Sequence, residues 1–243
     1  MIIYPAIDLK DGQCVRLVQG RAEDKTVYSD NPGAMAGVWQ QQGASWLHVV
    51  DLDGAFAGHP VNTPAIRAIA SAIDIPFQVG GGLRRREDVE EVLRAGARRV
   101  IIGTKAVSSP DFVKALLEEF GPAKIILGLD ARDGMVAVEG WVSTSNLTAL
   151  EFAHTMKDLG VTTAVYTDIS RDGLLQGPNI KAIEDMARQS GLQIIASGGV
   201  SSRENIQALK KLEACGVAGA IMGKALYDGK ITLPEALETA GGV

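Results

Sequence analysis

Residues 6–12 read Ala6-Ile7-Asp8-Leu9-Lys10-Asp11-Gly12, and residues 128–134 read Gly128-Leu129-Asp130-Ala131-Arg132-Asp133-Gly134. Each is an apolar run that meets an aspartate and then an Asp-Gly turn, and the two lie 122 residues apart. Three more pairs follow in the same order. VGGGLRRRE (Val79–Glu87) matches ASGGVSSRE (Ala196–Glu204) at an offset of 117, and IIGTKA (Ile101–Ala106) matches IMGKA (Ile221–Ala225) at 120. The G-x-P-x-N of Gly58–Asn62 echoes the GPN of Gly177–Asn179, again at 117. Four matches in one order indicate a duplicated chain, with halves at about 1–122 and 123–243.

Working outward from these motifs, short apolar runs alternate with longer amphipathic ones. The predicted strands are Ile2–Ile7, Trp46–Val50, Phe77–Val79, Arg99–Ile102, Lys124–Leu129, Thr162–Tyr166, Gln193–Ala196 and Val217–Met222. Each is short and nearly free of polar residues, as strands covered on both faces should be. The intervening stretches carry helix-start signals: Ser109-Pro110, and capping-box spacing at Thr148/Glu151, Ser201/Glu204 and Thr232/Glu235. Gly43, Gly96, Gly121, Gly160, Gly191 and Gly216 fall at predicted helix ends, where a left-handed residue is cheap. Strict βα alternation implies a parallel sheet, and eight units imply a closed barrel. An open doubly wound sheet accounts for the alternation but not for the repeat. The expected fold class is α/β: one domain over residues 1–243, a (β/α)₈ TIM barrel built from two (β/α)₄ half-barrels.

Composition agrees. Of 243 residues, 46% are hydrophobic but only 5% aromatic, so the core must be built from Val, Ile, Leu and Ala. The net charge of −5 argues against a nucleic-acid partner. The basic run Arg84-Arg85-Arg86 is followed at once by Glu87, Asp88, Glu90 and Glu91, which suits a solvated helix start. Cys14 and Cys215 have no metal-ligand spacing, and nothing in the sequence supports a disulfide between them. The start MIIYPAIDLK lacks a signal-peptide shape and no apolar run reaches membrane-spanning length. A cytoplasmic, monomeric protein with no membrane partner is expected.

In such barrels the site lies at the C-terminal ends of the strands, where all the repeated motifs fall. Gly80-Gly81-Gly82 and Gly103-Thr104 close the third and fourth strands; Gly198-Gly199 and Gly223 close the seventh and eighth. Glycine lets backbone N–H groups converge on an anion, and a helix start behind the loop adds favourable partial charge. The bland alternative is a set of tight turns. Repetition at matching places favours two opposed phosphate sites and a bisphosphorylated small-molecule substrate.

Asp8 and Asp130 end the first and fifth strands across the barrel mouth, where two carboxylates can divide general acid and base work. Asp11-Gly12 and Asp133-Gly134 read as turns. Thr167-Asp168 at the end of the sixth strand, before Ser170-Arg171-Asp172-Gly173, suits sugar hydroxyls or support of the acid; its counterpart is Asp51. Arg84 after the glycine triplet and Arg16 in a long first βα loop can reach substrate. Trp141 either stacks on a planar ring or packs its loop, and His48 reads as a satisfied core residue. No metal cluster, P-loop or dinucleotide fingerprint is visible, which favours proton-transfer chemistry such as isomerisation without a cofactor.

Taken together, AIDLKDG, VRLVQG, HVVDLDGAFAG, VGGGLR, IIGT, GLDARDG, YTDISRDG, ASGGVSS and GKALY resemble the phosphoribosylformimino-aminoimidazole carboxamide ribotide isomerases of histidine biosynthesis, from Ile3 to about Leu237. The resemblance implies an Amadori rearrangement with no cofactor. It implies Asp130 as general acid assisted by Thr167, Asp8 as general base, and Trp141 stacked on the aminoimidazole. Arg16, Gly81, Gly82, Arg84, Gly103, Thr104, Asp168, Gly173, Gly198, Gly199 and Gly223 complete the expected binding surface. Two relatives compete. The cyclase subunit of imidazole glycerol phosphate synthase typically opens with CLDV where this chain has AIDL. A bifunctional isomerase that also acts on phosphoribosyl anthranilate differs mainly in its loops. A barrel that only binds phosphorylated metabolites is a third reading, against which Asp8, Asp130 and Thr167 argue.

Overall fold

The computed structural model describes residues 1–18, 21–138, 141 and 143–241. Its strands are β1 (Ile2–Lys10), β2 (Gln13–Val18), β3 (Arg21–Ser29), β4 (Leu47–Asp51), β5 (Phe77–Gly80), β6 (Arg99–Ile102), β7 (Ile125–Arg132), β8 (Met135–Val138), β9 (Ser143–Thr148), β10 (Thr163–Asp168), β11 (Gln193–Ser197) and β12 (Val217–Met222). Eight of them pair in parallel in the order β1-β4-β5-β6-β7-β10-β11-β12, and β12 returns to β1. The sheet is therefore closed, with no exposed edge in the barrel proper. Helices Pro32–Gln41, Thr63–Ala72, Arg86–Arg94, Pro110–Phe120, Ala149–Asp158, Ile180–Ser190, Arg203–Lys210 and Leu233–Ala240 follow the strands in turn.

Strand residues alternate between two cores, because successive side chains point to opposite faces. Ile3, Ile7, Leu9, Leu47, Val49, Val79, Ile125 and Leu127 face outward into the layer beneath the helices. Tyr4, Ala6, Ile101, Ile126, Val165, Ile195 and Ile221 face inward and fill the barrel. The same alternation carries the next inward positions to the mouth: Asp8 after Ala6, Asp130 after Gly128, Thr167 after Val165, Gly103 after Ile101, Gly223 after Ile221.

The remaining four strands are the main departure from the sequence reading. β2 and β3 form an antiparallel hairpin on β1, and β8 and β9 form one on β7. Arg16 therefore sits on a strand rather than in a long loop, and Asp8 and Asp130 lie within extended strands rather than at their ends. Gln19 and Gly20 of the VRLVQG motif lie outside the described residues.

The capping boxes at Thr148/Glu151 and Thr232/Glu235 are present, and Pro110 starts its helix after Ser109. The third is displaced by one residue: Ser202, not Ser201, caps its helix by accepting from Asn205 N–H. Cys14 and Cys215 are both free thiols, and burial first, then the Asp8 charge, pushes the Cys14 thiol up to about 12. Among the described residues no helix is long and apolar enough to cross a membrane.

Candidate active site

At the C-terminal end of the barrel the inward side chains surround a cavity of about 290 Å³. Asp8 and Asp130 line it from β1 and β7. Burial raises the pKa of both, because a low-dielectric wall disfavours the charged form. Their partners differ. Arg16 Nη1 donates to Asp8 Oδ2 at 2.7 Å, and its charge pulls Asp8 back toward ionisation. Among the described residues Asp130 has only neutral donors: Trp141 Nε1 at 2.8 Å and the hydroxyl of Thr167, its cross-strand partner. Trp141 holds a φ of 75°, a left-handed conformation that costs a bulky residue about 1–3 kcal/mol. In this arrangement its indole serves first as a hydrogen-bond donor to a carboxylate.

The glycine loops line the cavity from opposite sides, Gly81, Gly82, Gly103 and Thr104 on one and Gly198, Gly199 and Gly223 on the other. They are also demanded by packing. Gly81 and Gly198 have φ of 107° and 95°. A Cβ on Gly81 would strike the carbonyl oxygen of Asp51, and one on Gly198 would lie 2.6 Å from that of Asp168. A Cβ on Gly82 or Gly199 would likewise lie 2.5 or 2.7 Å from the carbonyl oxygen of Gly54 or Gly177. The tight-turn reading thus holds for these residues, which also lie on the cavity wall. At Gly223 a Cβ would collide with the Arg16 guanidinium, so that glycine makes room for the arginine.

Asp168 stands apart from the cavity lining. Its carboxylate accepts from Ser170 N–H (3.0 Å), Ser170 Oγ (2.5 Å) and Asn179 Nδ2 (2.8 Å). Asp51 does the equivalent, accepting from Gly54 N–H, Val61 N–H and both the backbone and side-chain nitrogens of Asn62 at 2.7–2.9 Å. Each aspartate clamps the loop after its own strand. Arg84 lines the rim, and its Nη2 donates to the Ala55 carbonyl at 3.2 Å. Gly173 also lines the cavity.

Three titratable lining residues were not among the candidates read from the sequence. Asp172 is a third carboxylate, pushed up to about 6 by burial first, with Arg16 opposing and the charges of Asp8 and Asp130 adding. It sits in the polar stretch Ser170–Gly173, where one more Asp resembles a turn residue. Lys224 places a cation beside Gly223; the motif IMGKA displayed it without distinguishing it. His48 lines the cavity as well, so it is more than core filling.

A family described as "Histidine biosynthesis protein" matches residues 2–232. Curated relatives named 1-(5-phosphoribosyl)-5-((5-phosphoribosylamino)methylideneamino)imidazole-4-carboxamide isomerase align along nearly their whole length. The protein of Syntrophomonas wolfei is 69% identical over 240 residues, covering 99% of this chain and 98% of the relative. That of Desulforamulus reducens is 55% identical, covering 100% and 98%, and that of Moorella thermoacetica is 55% identical, covering 99% and 98%.

Proposed function

Since the chain belongs to the histidine biosynthesis protein family, we propose that it performs the isomerisation for which its relatives are named, the Amadori rearrangement of a bisphosphorylated aminoaldose ribotide to the aminoketose. One observation carries the assignment of roles. Two buried aspartates occupy duplicated positions over one cavity, yet one is paired with a cation and the other with neutral donors.

The unequal partners divide the labour. Arg16 favours the charged form of Asp8, which is therefore the group ready to accept a proton. Among the described residues nothing cationic contacts Asp130, so burial dominates and it is the group ready to give one. Asp130, assisted by Thr167, donates a proton to the ribose ring oxygen as the bond from that oxygen to C1 breaks, leaving a C1–N Schiff base. Asp8 removes the proton on C2, the freed electron pair forms the C1–C2 double bond, and the C1–N π pair returns to the nitrogen. Transfer of the C2 hydroxyl proton out and of a proton onto C1 completes the ketone. Only protons move, and no cofactor is required.

The substrate named for the relatives carries two phosphoribosyl groups. Its phosphates suit the two glycine cradles, with Lys224 beside the second. Arg16, Arg84, Trp141 and Gly173 contact the body of the substrate, and Asp168 acts from behind by holding the loop that presents Asp172. We read the enzyme as a cytoplasmic monomer. Action on phosphoribosyl anthranilate is not favoured, because the relatives above all carry the one name. A steady-state assay with the ribotide and with phosphoribosyl anthranilate tests this. Turnover of the first and none of the second is expected; an enzyme inert toward the ribotide would overturn the reading.

A further inference from the structure

A row of polar side chains on the inner barrel wall is left unused by the reaction as described. His48 on β4, Gln78 on β5 and Arg99 on β6 are consecutive cross-strand partners. Arg99 Nε donates to Gln78 Oε1 at 2.9 Å, and its Nη2 donates to the Tyr4 hydroxyl at 3.0 Å. The guanidinium lies 4.4 Å from the centre of the Trp46 ring system. Gln78 is fully buried and brings Nε2 to 2.9 Å from His48 Nδ1. His48 is thus the end of the row that meets the cavity.

The direction of each bond follows from what each group can do. A guanidinium only donates, so the Gln78 atom facing Arg99 must be its carbonyl oxygen. The other end of the amide is then NH₂, which also only donates, so His48 Nδ1 must accept. A neutral imidazole accepting at Nδ1 carries its proton on Nε2, the one polar atom left for the cavity. Burial first, then the charges of Arg16 and Arg99, lowers the His48 pKa to about 3 and keeps the ring neutral.

The second half of the chain shows that the fold does not need this row. Val165, Ile195 and Gly219 hold the same places on β10, β11 and β12, in the same register. Polar groups buried where apolar ones suffice bring no packing advantage.

We propose that Arg99 and Gln78 are positioning residues that fix His48 as an Nε2–H donor, and that this N–H binds a sugar oxygen of the substrate beside the carbon that Asp8 deprotonates. His48 pairs across strands with Ala6, two residues before Asp8 on the neighbouring strand. The substrate in this inference rests on the isomerase reading; the tautomer does not.

Nitrogen-15 NMR of the free enzyme reads the tautomer directly, since only three histidines are present. His48 should show a protonated Nε2 and an unprotonated Nδ1 at neutral pH, and the Nε2–H resonance should move on saturation with the aminoketose product. Gln78→Glu presents carboxylate oxygens to both neighbours. It should move the proton to Nδ1 or charge the ring, and lower kcat on the order of tenfold to a hundredfold. Arg99→Lys, still a donor-only cation, should keep the wild-type tautomer. A protonated Nδ1 in the free enzyme, an Nε2–H signal indifferent to product, or a Gln78→Glu enzyme with a moved proton and unchanged kcat would each overturn the proposal. A wild-type enzyme inert toward the ribotide would instead count against the isomerase reading and leave the tautomer result standing.

Discussion

The two halves of the barrel share an order of elements and a few motifs, and differ at most other positions. Both carry an aspartate on the first strand, an antiparallel hairpin after it, an aspartate that clamps the second loop and glycines that close the third and fourth strands. Asp51 and Asp168 do the same work at an offset of 117, as do Asn62 and Asn179. The differences gather around the cavity. The first half contributes Arg16 to Asp8, while the second contributes Trp141 and Thr167 to Asp130. The offset that relates the clamps places Ala55 opposite Asp172 and Val165 opposite His48. Closure of the barrel rests on what the halves share; in the proposed reaction the direction of proton transfer rests on what they do not.

The largest effect should come from the shared carboxylates. Asp8→Asn and Asp130→Asn should each lower kcat by about 10³-fold, with KM changed only a few-fold. Retention of turnover within tenfold by either would show that the halves do not contribute a catalytic group each. Next come the shared glycines. Gly81→Ala and Gly198→Ala combine a left-handed φ with a carbonyl behind it, and each should cost about 2–4 kcal/mol in urea unfolding. A loss at one site alone would break the equivalence.

The smallest effect isolates Asp172, which the first half lacks. Its carboxyl is raised from 3.8 to about 6, so the fold favours the protonated form. That contribution to stability is complete below pH 4 and is lost as the pH rises through 6. Asp172→Asn should therefore be more stable than wild type at pH 7 by roughly 2–3 kcal/mol, with the difference vanishing below pH 4. Urea unfolding at the two pH values checks this, and a variant less stable at pH 7 would reverse the sign of the argument.

The duplicated motifs made the closed barrel, the two aspartates and the glycine loops readable, because each is a local pattern at a strand end. The hairpins were not readable: QCVRLV mixes polar and apolar residues without a clean period and follows an Asp-Gly turn, so it resembles a loop. Arg16 was singled out without its strand. Asp168 and Asp172 share one polar stretch, and which of them turns into the cavity is decided by Ser170 and Asn179, eleven residues away in the latter case. Gln78 and Arg99 are polar residues at the starts of apolar runs, but their partners lie on neighbouring strands, 21 and 30 residues off. Contacts across strands leave no spacing to read.

Near-symmetry has a further consequence, for binding polarity. Two glycine cradles of almost identical backbone cannot by themselves distinguish one phosphate of the substrate from the other, so a ligand reversed end for end meets much the same anion sites. Reversed binding is non-productive: it occupies the cavity, depressing kcat and KM together while leaving their ratio unchanged. In the proposed function the residues without counterparts, among them Arg16, His48 and Asp172, therefore have a second task that precedes any proton transfer, which is to admit the substrate in only one of its two directions.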